Sequence, residues 1–369
     1  MKVVICGAGV IGASIAYFLA NKGITATVVE RHEVAGAASG KSGGFIAENW
    51  CDGQAQEQLA RCSFALHSQL AAQFADEHGI DYGFRRLQTL SVTSSERRKI
   101  ANTGSADPPQ WLSERCTVTG LIGDERSTAQ IHPKQFTHAL LNAALHSGTT
   151  LRQGTVDGLL MSADSSRVRG VSVDGEALHA DAVVIAMGPW SDLFREPLGL
   201  PPIGGLKGYS VVLRPLTPVP AQALFVDYEC ADGRQPTPEI VPRANGDVWL
   251  CGMPSGDSLP ENPADVSIDR VACTELQRIA ARLCRPLHGA KLIATQACYR
   301  PICADAMPLI GPAPAVEGVF IASAHNCWGM LNAPATGLVM SELLADGAAT
   351  SVDIGPFSAS RSSLARQHL

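Results

Sequence analysis

The stretch MKVVICGAGVIGASIAYFLANKGITATVVE, residues 1–30, decides the fold of this 369-residue chain. Residues 2–6 are rich in β-branched side chains and predict a short buried strand. Residues 11–23 keep the apolar period of a helix and end in glycine, which is a common helix terminator. Residues 25–29 predict a second strand, and Glu30 stands at its end. This order of elements predicts the first unit of a doubly wound α/β domain.

The glycines between the first strand and the helix indicate a dinucleotide site. Gly7 permits the tight turn, Gly9 lets the backbone approach a pyrophosphate, and Gly12 lets the helix pack closely on the strand. The helix N-terminus offers unpaired N–H groups and a partial positive charge to the phosphates. Glu30 is placed to accept hydrogen bonds from the adenosine ribose, and an acid there disfavours NADP. We expect the neighbouring cofactor contacts at Val10, Ile11 and Arg31.

A second run of small residues, GAASGKSGG at 36–44, follows soon after. Such a run is either a flexible loop or a second surface that lies along a diphosphate. Its position just after Glu30 favours the second interpretation. NAD sites rarely need this additional loop, so the sequence favours FAD over NAD and disfavours an NAD-dependent dehydrogenase. The residues expected to contact the cofactor here are Ser39, Ser42, Gly43 and Gly44.

Composition excludes several classes of protein. The formal net charge of −6 and the lack of a basic run argue against nucleic-acid binding. The 11 cysteines are scattered without zinc spacing, so we expect no metal site and mostly buried thiols in a reducing compartment such as the cytoplasm. No apolar run is long enough to span a membrane. The final QHL is a poor match to a peroxisomal signal but leaves that location open.

The rest of the chain alternates between helical and extended patterns. We expect helices at 64–79 and 131–148, surface loops at 103–130, strands within 150–175, a buried strand that begins at 181 and runs into a turn at 188, and a run of strands at 203–295. Asn245 and Gly246 predict a hairpin within that last run, because both residues tolerate positive φ. An antiparallel sheet there would carry Tyr209, Arg243 and Trp249 as candidate substrate contacts, although each is more often structural.

These motifs together resemble the FAD-dependent oxidoreductases of the D-amino acid oxidase, glycine oxidase and sarcosine oxidase superfamily. The resemblance rests on the opening unit, the loop at 36–44, VVIAMGPWSD at 183–192 and the C-terminal third. It implies a Rossmann-like FAD-binding domain of the glutathione-reductase-2 type and a mainly antiparallel substrate-binding sheet with helices. The implied division is 1–60, 131–202 and 296–369 for the FAD-binding domain, and 61–130 and 203–295 for the substrate-binding domain. The implied cofactor contacts here are Val156, Ala186 and Gly188.

The run CYRPICADAMPLIG, residues 298–311, is similar to a run in glycine and D-amino acid oxidases. In that family its arginine holds the substrate carboxylate, which makes Arg300 the candidate catalytic residue. A guanidinium pairs with a carboxylate through two parallel hydrogen bonds and so fixes its orientation. The competing interpretation is a surface ion pair between Arg300 and Asp305, which would contribute little.

Two cysteines in the same run need separate interpretations. Sarcosine and pipecolate oxidases attach their flavin covalently to a cysteine seven residues before the matching aspartate, which is the position of Cys298 relative to Asp305. Glycine and D-amino acid oxidases lack that cysteine. Cys298 is therefore either a covalent flavin anchor or a buried, inert thiol. We expect Cys303 to be structural.

The stretch SAHNCWGMLNAPATGLVMSELLADG, residues 323–347, resembles a motif of glycine oxidases. The resemblance implies a helix that opens at about residue 334 and faces the pyrimidine edge of the flavin with its positive end. His325 is more often a structural residue than a base, and the lysine of the sarcosine branch is absent at Leu331. The expected cofactor contacts are Gly329, Met330, Leu331, Asn332 and Thr336, and Trp328 is a candidate substrate contact.

The resemblance implies FAD-dependent oxidation of the C–N bond of an amino acid or secondary amine. A hydride would pass to flavin N5, and the resulting imine would hydrolyse. The electron acceptor is either oxygen, in an oxidase, or a quinone or electron-transfer protein, in a dehydrogenase. The branch that SGKSGGF and WCDG resemble most includes a yeast protein linked to endosomal trafficking, so the alternative is a flavin-bound protein with a trafficking or assembly role. The sequence leaves substrate side chain, chirality and oligomeric state open.

Overall fold

A computed structural model describes residues 1–98, 100 and 108–361 of the chain. The final QHL and part of the predicted loop at 103–130 lie outside the described residues. The helices are α1 (Val10–Asn21), α2 (Ala38–Lys41), α3 (Glu57–His78), α4 (Pro133–His146), α5 (Arg195–Leu198), α6 (Arg270–Leu283) and α7 (Gly329–Asp346).

Most of the strands belong to two large sheets, and the others form two small ones. The strands are β1 (Val3–Cys6), β2 (Ala26–Glu30), β3 (Phe45–Ala47), β4 (Arg85–Arg86), β5 (Gln88–Ser95), β6 (Cys116–Gly123), β7 (Thr128–Gln130), β8 (Thr150–Gln153), β9 (Val156–Met161), β10 (Val168–Val173), β11 (Glu176–His179), β12 (Ala182–Ile185), β13 (Gly204–Arg214), β14 (Gln222–Glu229), β15 (Glu239–Pro242), β16 (Val248–Ser255), β17 (Lys291–Ile302), β18 (Leu309–Pro312) and β19 (Val319–Ser323).

The first large sheet has the strand order β18-β19-β12-β1-β2-β8. Its neighbouring strands pair in parallel, except for β18, which runs antiparallel at one edge. β1 is buried along its whole length, as expected of a continuous apolar run in a central parallel strand. Helices α1, α4 and α7 pack together on this sheet and share its largest hydrophobic cluster. The predicted doubly wound unit is present, with the carboxyl ends of β1 and β2 at one edge.

The second large sheet has the strand order β17-β13-β16-β15-β14-β5-β6 and is antiparallel except between β14 and β5. Helix α6 covers one face through its buried residues, while the other face turns toward the first sheet. The predicted hairpin is confirmed between β15 and β16, where Gly246 takes a φ of +85°. Two small antiparallel sheets complete the fold: β11-β10-β9 contacts β12 of the first sheet, and β3-β7-β4 contacts α7 and strand β5 of the second sheet.

Several predicted boundaries differ from the structure. Residues 103–130 include strands β6 and β7, and the run of strands at 203–295 is interrupted by α6. Helix α7 begins at Gly329 and carries Pro334 in its interior, so the predicted start at about residue 334 was wrong. Pro334 has no N–H to donate to the carbonyl of Met330, and His67 Nε2 lies 3.0 Å from that carbonyl instead.

The predicted domain division stays a prediction, and two elements fit it poorly. Helix α3, beginning at Glu57, packs against α7 in the large hydrophobic cluster of the first sheet, although 61–130 was expected in the other domain. Strand β17 runs through residue 302 as an edge of the second sheet and crosses the expected boundary at 295 and 296. No helix in the described part of the chain is long and apolar enough to cross a membrane.

Candidate active site

A cavity of about 510 Å³ lies where the first sheet faces the second. One end is formed by the turns that follow β1 and β2 and by the loop that contains α2. The other end is formed by β13, β15, β16 and β17 and by the segment that leads into α7. The cavity is therefore a single space that joins the glycine turn to the predicted substrate sheet.

The turn after β1 accepts only glycine at its first position. Gly7 has a φ of +107°, and a Cβ there would lie 2.5 Å from the backbone oxygen of Ala186. A Cβ at Gly12 would lie 2.0 Å from the oxygen of Gly7, so the helix can approach the strand only without a side chain. Both roles were predicted from the spacing. They leave the N-terminus of α1 open to the cavity at Gly9 and Val10.

Two side chains hold this turn in place. The Glu30 carboxylate accepts hydrogen bonds from the N–H groups of Ala8 and His32, at 2.8 and 2.9 Å. The Ser39 hydroxyl accepts one from the N–H of Val10 at 2.9 Å and so links the second small-residue loop to the start of α1. The two small-residue runs predicted to lie along a diphosphate are thus adjacent in space.

The second small-residue loop is shaped by close contacts with the substrate sheet. A Cβ at Gly43 would lie 2.6 Å from the indole ring of Trp249, and the indole N–H donates to the carbonyl of Lys41 at 2.9 Å. Gly44 has a φ of +74° and also has no room for a side chain. The Ser42 hydroxyl is buried and has no partner among the described residues. An unpaired hydroxyl beside a glycine cradle fits the phosphates of a dinucleotide.

At the other end of the cavity, β17 presents Cys298 and Arg300 on one face. On the neighbouring strand β13, Gly208 pairs with Cys298 and Leu206 pairs with Arg300. Gly208 has open space where a side chain would be, which leaves room in front of Cys298. Burial raises the pKa of the Cys298 thiol, and the charges of Lys41 and Arg300 oppose that effect. The register of β17 thus brings the predicted arginine and cysteine into the cavity together.

Four aromatic side chains line the cavity that Arg300 also lines. Trp50 lies with its ring centroid 4.8 Å from that of Phe225 and 5.0 Å from that of Phe45. Trp328, from the short segment before α7, contacts Trp50 edge-on at 6.2 Å. These four residues form what we call the aromatic wall. Of them, sequence analysis identified only Trp328, because the others reach the cavity from separate strands and loops.

A carboxylate in this cavity was not predicted. Glu239, the first residue of β15, lines the cavity, and burial raises its pKa, while the charge of Arg300 and a hydrogen bond from Cys251 oppose that increase. Cys251 and Cys327 also line this part of the cavity, and the pKa of each thiol is raised by burial. The only sequence signal was an acid at the start of an otherwise apolar strand, EIVP.

Most predicted site residues line the cavity. They are Gly7, Gly9, Val10, Ile11, Glu30, Arg31, Ser39, Ser42, Gly43, Gly44, Val156, Ala186, Gly188, Tyr209, Trp249, Cys298, Arg300, Trp328, Gly329 and Met330. The side chain of Tyr209, however, belongs to the hydrophobic cluster under α6, and its hydroxyl lies 3.2 Å from Asp257. It follows that Tyr209 touches the cavity only at the sheet's margin.

The remaining predicted contacts lie behind the cavity lining. Arg243 is 6% exposed and donates to the carbonyl of Ser42 at 3.1 Å, so it supports the loop from outside. Leu331, Asn332 and Thr336 are fully buried in α7 and are not among the residues that line the cavity. Gly12 lies one turn inside α1 and serves packing.

His325 behaves as a structural residue that also touches the cavity. It is 2% exposed, and its Nε2 lies 3.1 Å from the hydroxyl of Thr336. Burial lowers its pKa to about 3, so the ring is neutral at neutral pH. A base this weak is unsuited to taking a proton from an amine. Within the described ranges, no group of three or more His, Cys, Asp or Glu side chains is arranged to hold a metal ion.

Comparisons with known proteins agree with this geometry. The family model described as FAD dependent oxidoreductase matches residues 2–343. A Schizosaccharomyces pombe protein, named provisionally as an oxidoreductase, is 30% identical over 96% of both chains. Glycine oxidase of Geobacillus kaustophilus is 27% identical over 97% of this chain and 96% of its own. The crystal structure of glycine oxidase from the same organism superposes with a TM-score of 0.83 at 24% identity, over 98% of this chain and 99% of the other.

The fold class, the enzyme class and the cofactor that were predicted from the sequence are therefore confirmed. The glycine cradle, Glu30 and the unpaired Ser42 hydroxyl fit FAD, which the family requires. The cavity that holds them also contains a guanidinium and a carboxylate against an aromatic wall. With the family model spanning nearly the whole chain, this protein belongs to the FAD dependent oxidoreductase family.

Proposed function

We propose that the protein oxidises the C–N bond of an amino acid or secondary amine that carries a carboxylate. The observation that supports this most directly is Arg300. Arg300 lines the same cavity as the residues expected to bind FAD, and no ion pair within 4 Å involves it in the described part of the chain. Its hydrogen bond with the Cys327 thiol does not neutralise its charge. A cation without an ion-pair partner in a largely apolar cavity is costly unless a ligand pairs with it.

Arg300 would bind the substrate carboxylate through two parallel hydrogen bonds. Its position is fixed because β17 pairs with β13 along almost its entire length. The aromatic wall would exclude water from the reacting carbon and so strengthen the ion pair. Because the arginine orients the substrate while the wall limits its movement, the C–H bond to be broken is held in one direction.

The cofactor would be held along the rest of the cavity. Glu30 would bind the adenosine ribose, while Gly9, Ser42 and Gly43 would meet the diphosphate. The N-terminus of α7 reaches the cavity at Gly329 and Met330, and its partial positive charge favours a negative charge nearby. When bound, FAD supplies the acceptor for a hydride leaving the substrate carbon.

The amino acid class rests partly on relatives. Glycine oxidases appear repeatedly among them, at 24–27% identity, which supports the reaction class without naming the substrate. The alternative of a mainly trafficking or assembly role requires no carboxylate anchor, so the position of Arg300 favours an enzyme. Oxygen and a quinone or electron-transfer protein are both compatible with this chemistry as the final electron acceptor.

The test is to mix the purified holoenzyme anaerobically with a panel of D- and L-amino acids and N-methyl amino acids. Reduction of the flavin is measured as the loss of its absorbance. We expect at least one to reduce the flavin. Arg300→Met should slow reduction at low substrate by about 100-fold or more, since a charge-assisted pair is lost. Arg214→Met is the matched control, because Arg214 is exposed on the same sheet and pairs with Asp247. Failure of every amine to reduce the flavin would refute the proposed function.

A further inference from the structure

Glu239 occupies an unusual position for a carboxylate. It starts β15, where it pairs across the sheet with Cys251 on one side and Phe225 on the other. Its side chain lines the cavity rather than the outer surface. Removing an ionised carboxylate from water is costly unless a cation or hydrogen-bond donors compensate. Among the described residues, the groups that favour its charged form are the Cys251 thiol, through a hydrogen bond, and the charge of Arg300.

Glu239 and Arg300 share one compartment without closing on each other. The charge of Arg300 lowers the pKa of Glu239, yet no ion pair within 4 Å joins them among the described residues. Both charges also act on the thiols of Cys251 and Cys327. Glu239 raises the pKa of each thiol, and Arg300 lowers it. Glu239 and Arg300 both line the one cavity, so an anion and a cation are presented to the same space.

The wall of this volume also suits a cation. Phe225 lies across from Glu239 in the sheet and packs against Trp50, whose ring contacts Trp328. Aromatic faces attract ammonium groups, and the attraction increases where water is excluded. A carboxylate placed beside aromatic rings forms a site for a positively charged nitrogen. A second carboxylate at the same place would be repelled.

We propose that Glu239 binds the amino nitrogen of the substrate in its cationic form, so that the site selects zwitterions and rejects dicarboxylates. This inference rests on the proposed function, because it takes Arg300 as the group that binds the first carboxylate. The two fixed charges then recognise the two ends of one small molecule. Glu239 acts as a specificity-determining residue, and an α-amino acid or N-alkyl amino acid without a second acid is the class of substrate that fits.

The test uses three small acids that differ only in one group attached to CH₂–COO⁻. Glycine carries an ammonium group, propanoate a methyl group and malonate a second carboxylate. Binding to the oxidised holoenzyme is measured from the flavin absorbance change after anaerobic mixing, before any reduction by glycine. The wild type should bind glycine most tightly and malonate most weakly.

Glu239→Gln removes the charge and keeps the shape. We expect it to weaken glycine binding by about 10- to 100-fold, the value of a hydrogen bond to a charged group. Propanoate binding should change less than threefold, and malonate binding should become tighter. Equal weakening of glycine and propanoate would overturn the inference, because it would indicate a structural role for Glu239. Glu239→Asp keeps the charge, so it should keep glycine ahead of propanoate.

The two proposals fail in different ways. A wild-type enzyme that binds propanoate and glycine equally well, and loses both on Arg300→Met, would overturn the role of Glu239 and leave the proposed function intact. A wild-type enzyme that binds none of the three acids and is reduced by no amino acid would refute both. Flavin content and circular dichroism of each variant establish that differences in binding arise in a folded, loaded enzyme.

Discussion

The carboxylate of Asp305 accepts two hydrogen bonds from the guanidinium of Arg361, at 2.7 and 2.8 Å. Both side chains are almost fully buried, at 6% exposure for the arginine and 10% for the aspartate. The same guanidinium donates to the carbonyls of Met307 and Pro308. Arg361 thereby ties the C-terminal segment to the turn that follows β17. The ion pair that competed with a substrate role for Arg300 is thus made by a different arginine.

Replacing Arg361 with methionine should destabilise the protein without touching the cavity. Breaking a buried ion pair from one side typically costs about 3 kcal/mol or more, because a charge remains buried with fewer partners. Urea denaturation of the holoenzyme should show a loss of that size in the free energy of unfolding. Arg167→Met removes an exposed pair with Glu317 and should change it by only about 0.5 kcal/mol. Equal effects of the two substitutions would contradict this assignment.

The turn at Gly7 gives a second prediction. Gly7→Ala places a Cβ 2.5 Å from the oxygen of Ala186 in a backbone with a φ of +107°. Gly23 also has a positive φ, of +74°, but the Cβ of Gly23→Ala would have no atom within 4 Å. The first change should lower the free energy of unfolding by about 3 kcal/mol and the second by about 1 kcal/mol.

The same pair of variants separates strain from cofactor binding. Gly7 lines the cavity, whereas Gly23 ends α1 at the far side of the helix. Titration of the flavin-free protein with FAD should therefore show weaker binding for Gly7→Ala and unchanged binding for Gly23→Ala. Normal FAD affinity in Gly7→Ala would indicate that the turn tolerates a side chain and that the close approach to Ala186 has little effect.

His67 gives the protein a dependence on pH. Its Nε2 lies 3.0 and 3.1 Å from the carbonyls of Met330 and Leu331, at the start of α7. Burial lowers its pKa from 6.5 to about 4, and these hydrogen bonds only partly oppose that effect. As the pH falls below 6.5, the unfolded chain takes up a proton that the folded protein does not. The free energy of unfolding therefore decreases until the pH reaches about 4.

The size of this effect can be measured by urea denaturation at two pH values. At pH ~5, His67 should reduce the free energy of unfolding by about 2 kcal/mol relative to pH ~7.5. His67→Gln should remove that part of the pH dependence, while His132 and His325, whose pKa values burial also lowers, retain theirs. His146→Gln controls for the loss of an exposed histidine. An unchanged pH dependence in His67→Gln would show that this ring is not the group responsible.

The parts of the site that were predictable from sequence depend on residues close together in the chain. The turn at Gly7 and the acid at Glu30 are set by one strand, one helix and the next strand. Arg300 could be placed because its neighbours on both sides follow a known pattern, and β17 then brings it to the cavity. Local geometry and family resemblance give the same answer at these positions.

The parts that were missed depend on contacts between distant segments. Glu239 and Phe225 reach the cavity because β15 and β14 lie side by side, an arrangement that no spacing in the sequence reveals. Asn332 and Thr336 were expected at the cofactor because the segment 323–347 resembles a motif of glycine oxidases, and this expectation stays a prediction. Both side chains are fully buried in α7 and are not among the residues that line the cavity.

The state of Cys298 is the last prediction. The cysteine lines the cavity, and its spacing from Asp305 resembles that of the flavin-binding cysteine of sarcosine and pipecolate oxidases. The thiolate is the reactive form, and burial raises the pKa of this thiol despite the nearby charges of Lys41 and Arg300. We therefore expect FAD without a covalent bond, so acid precipitation should release the yellow colour to the supernatant. Colour retained in the pellet of the wild type, and released in Cys298→Ala, would show instead that Cys298 anchors the flavin.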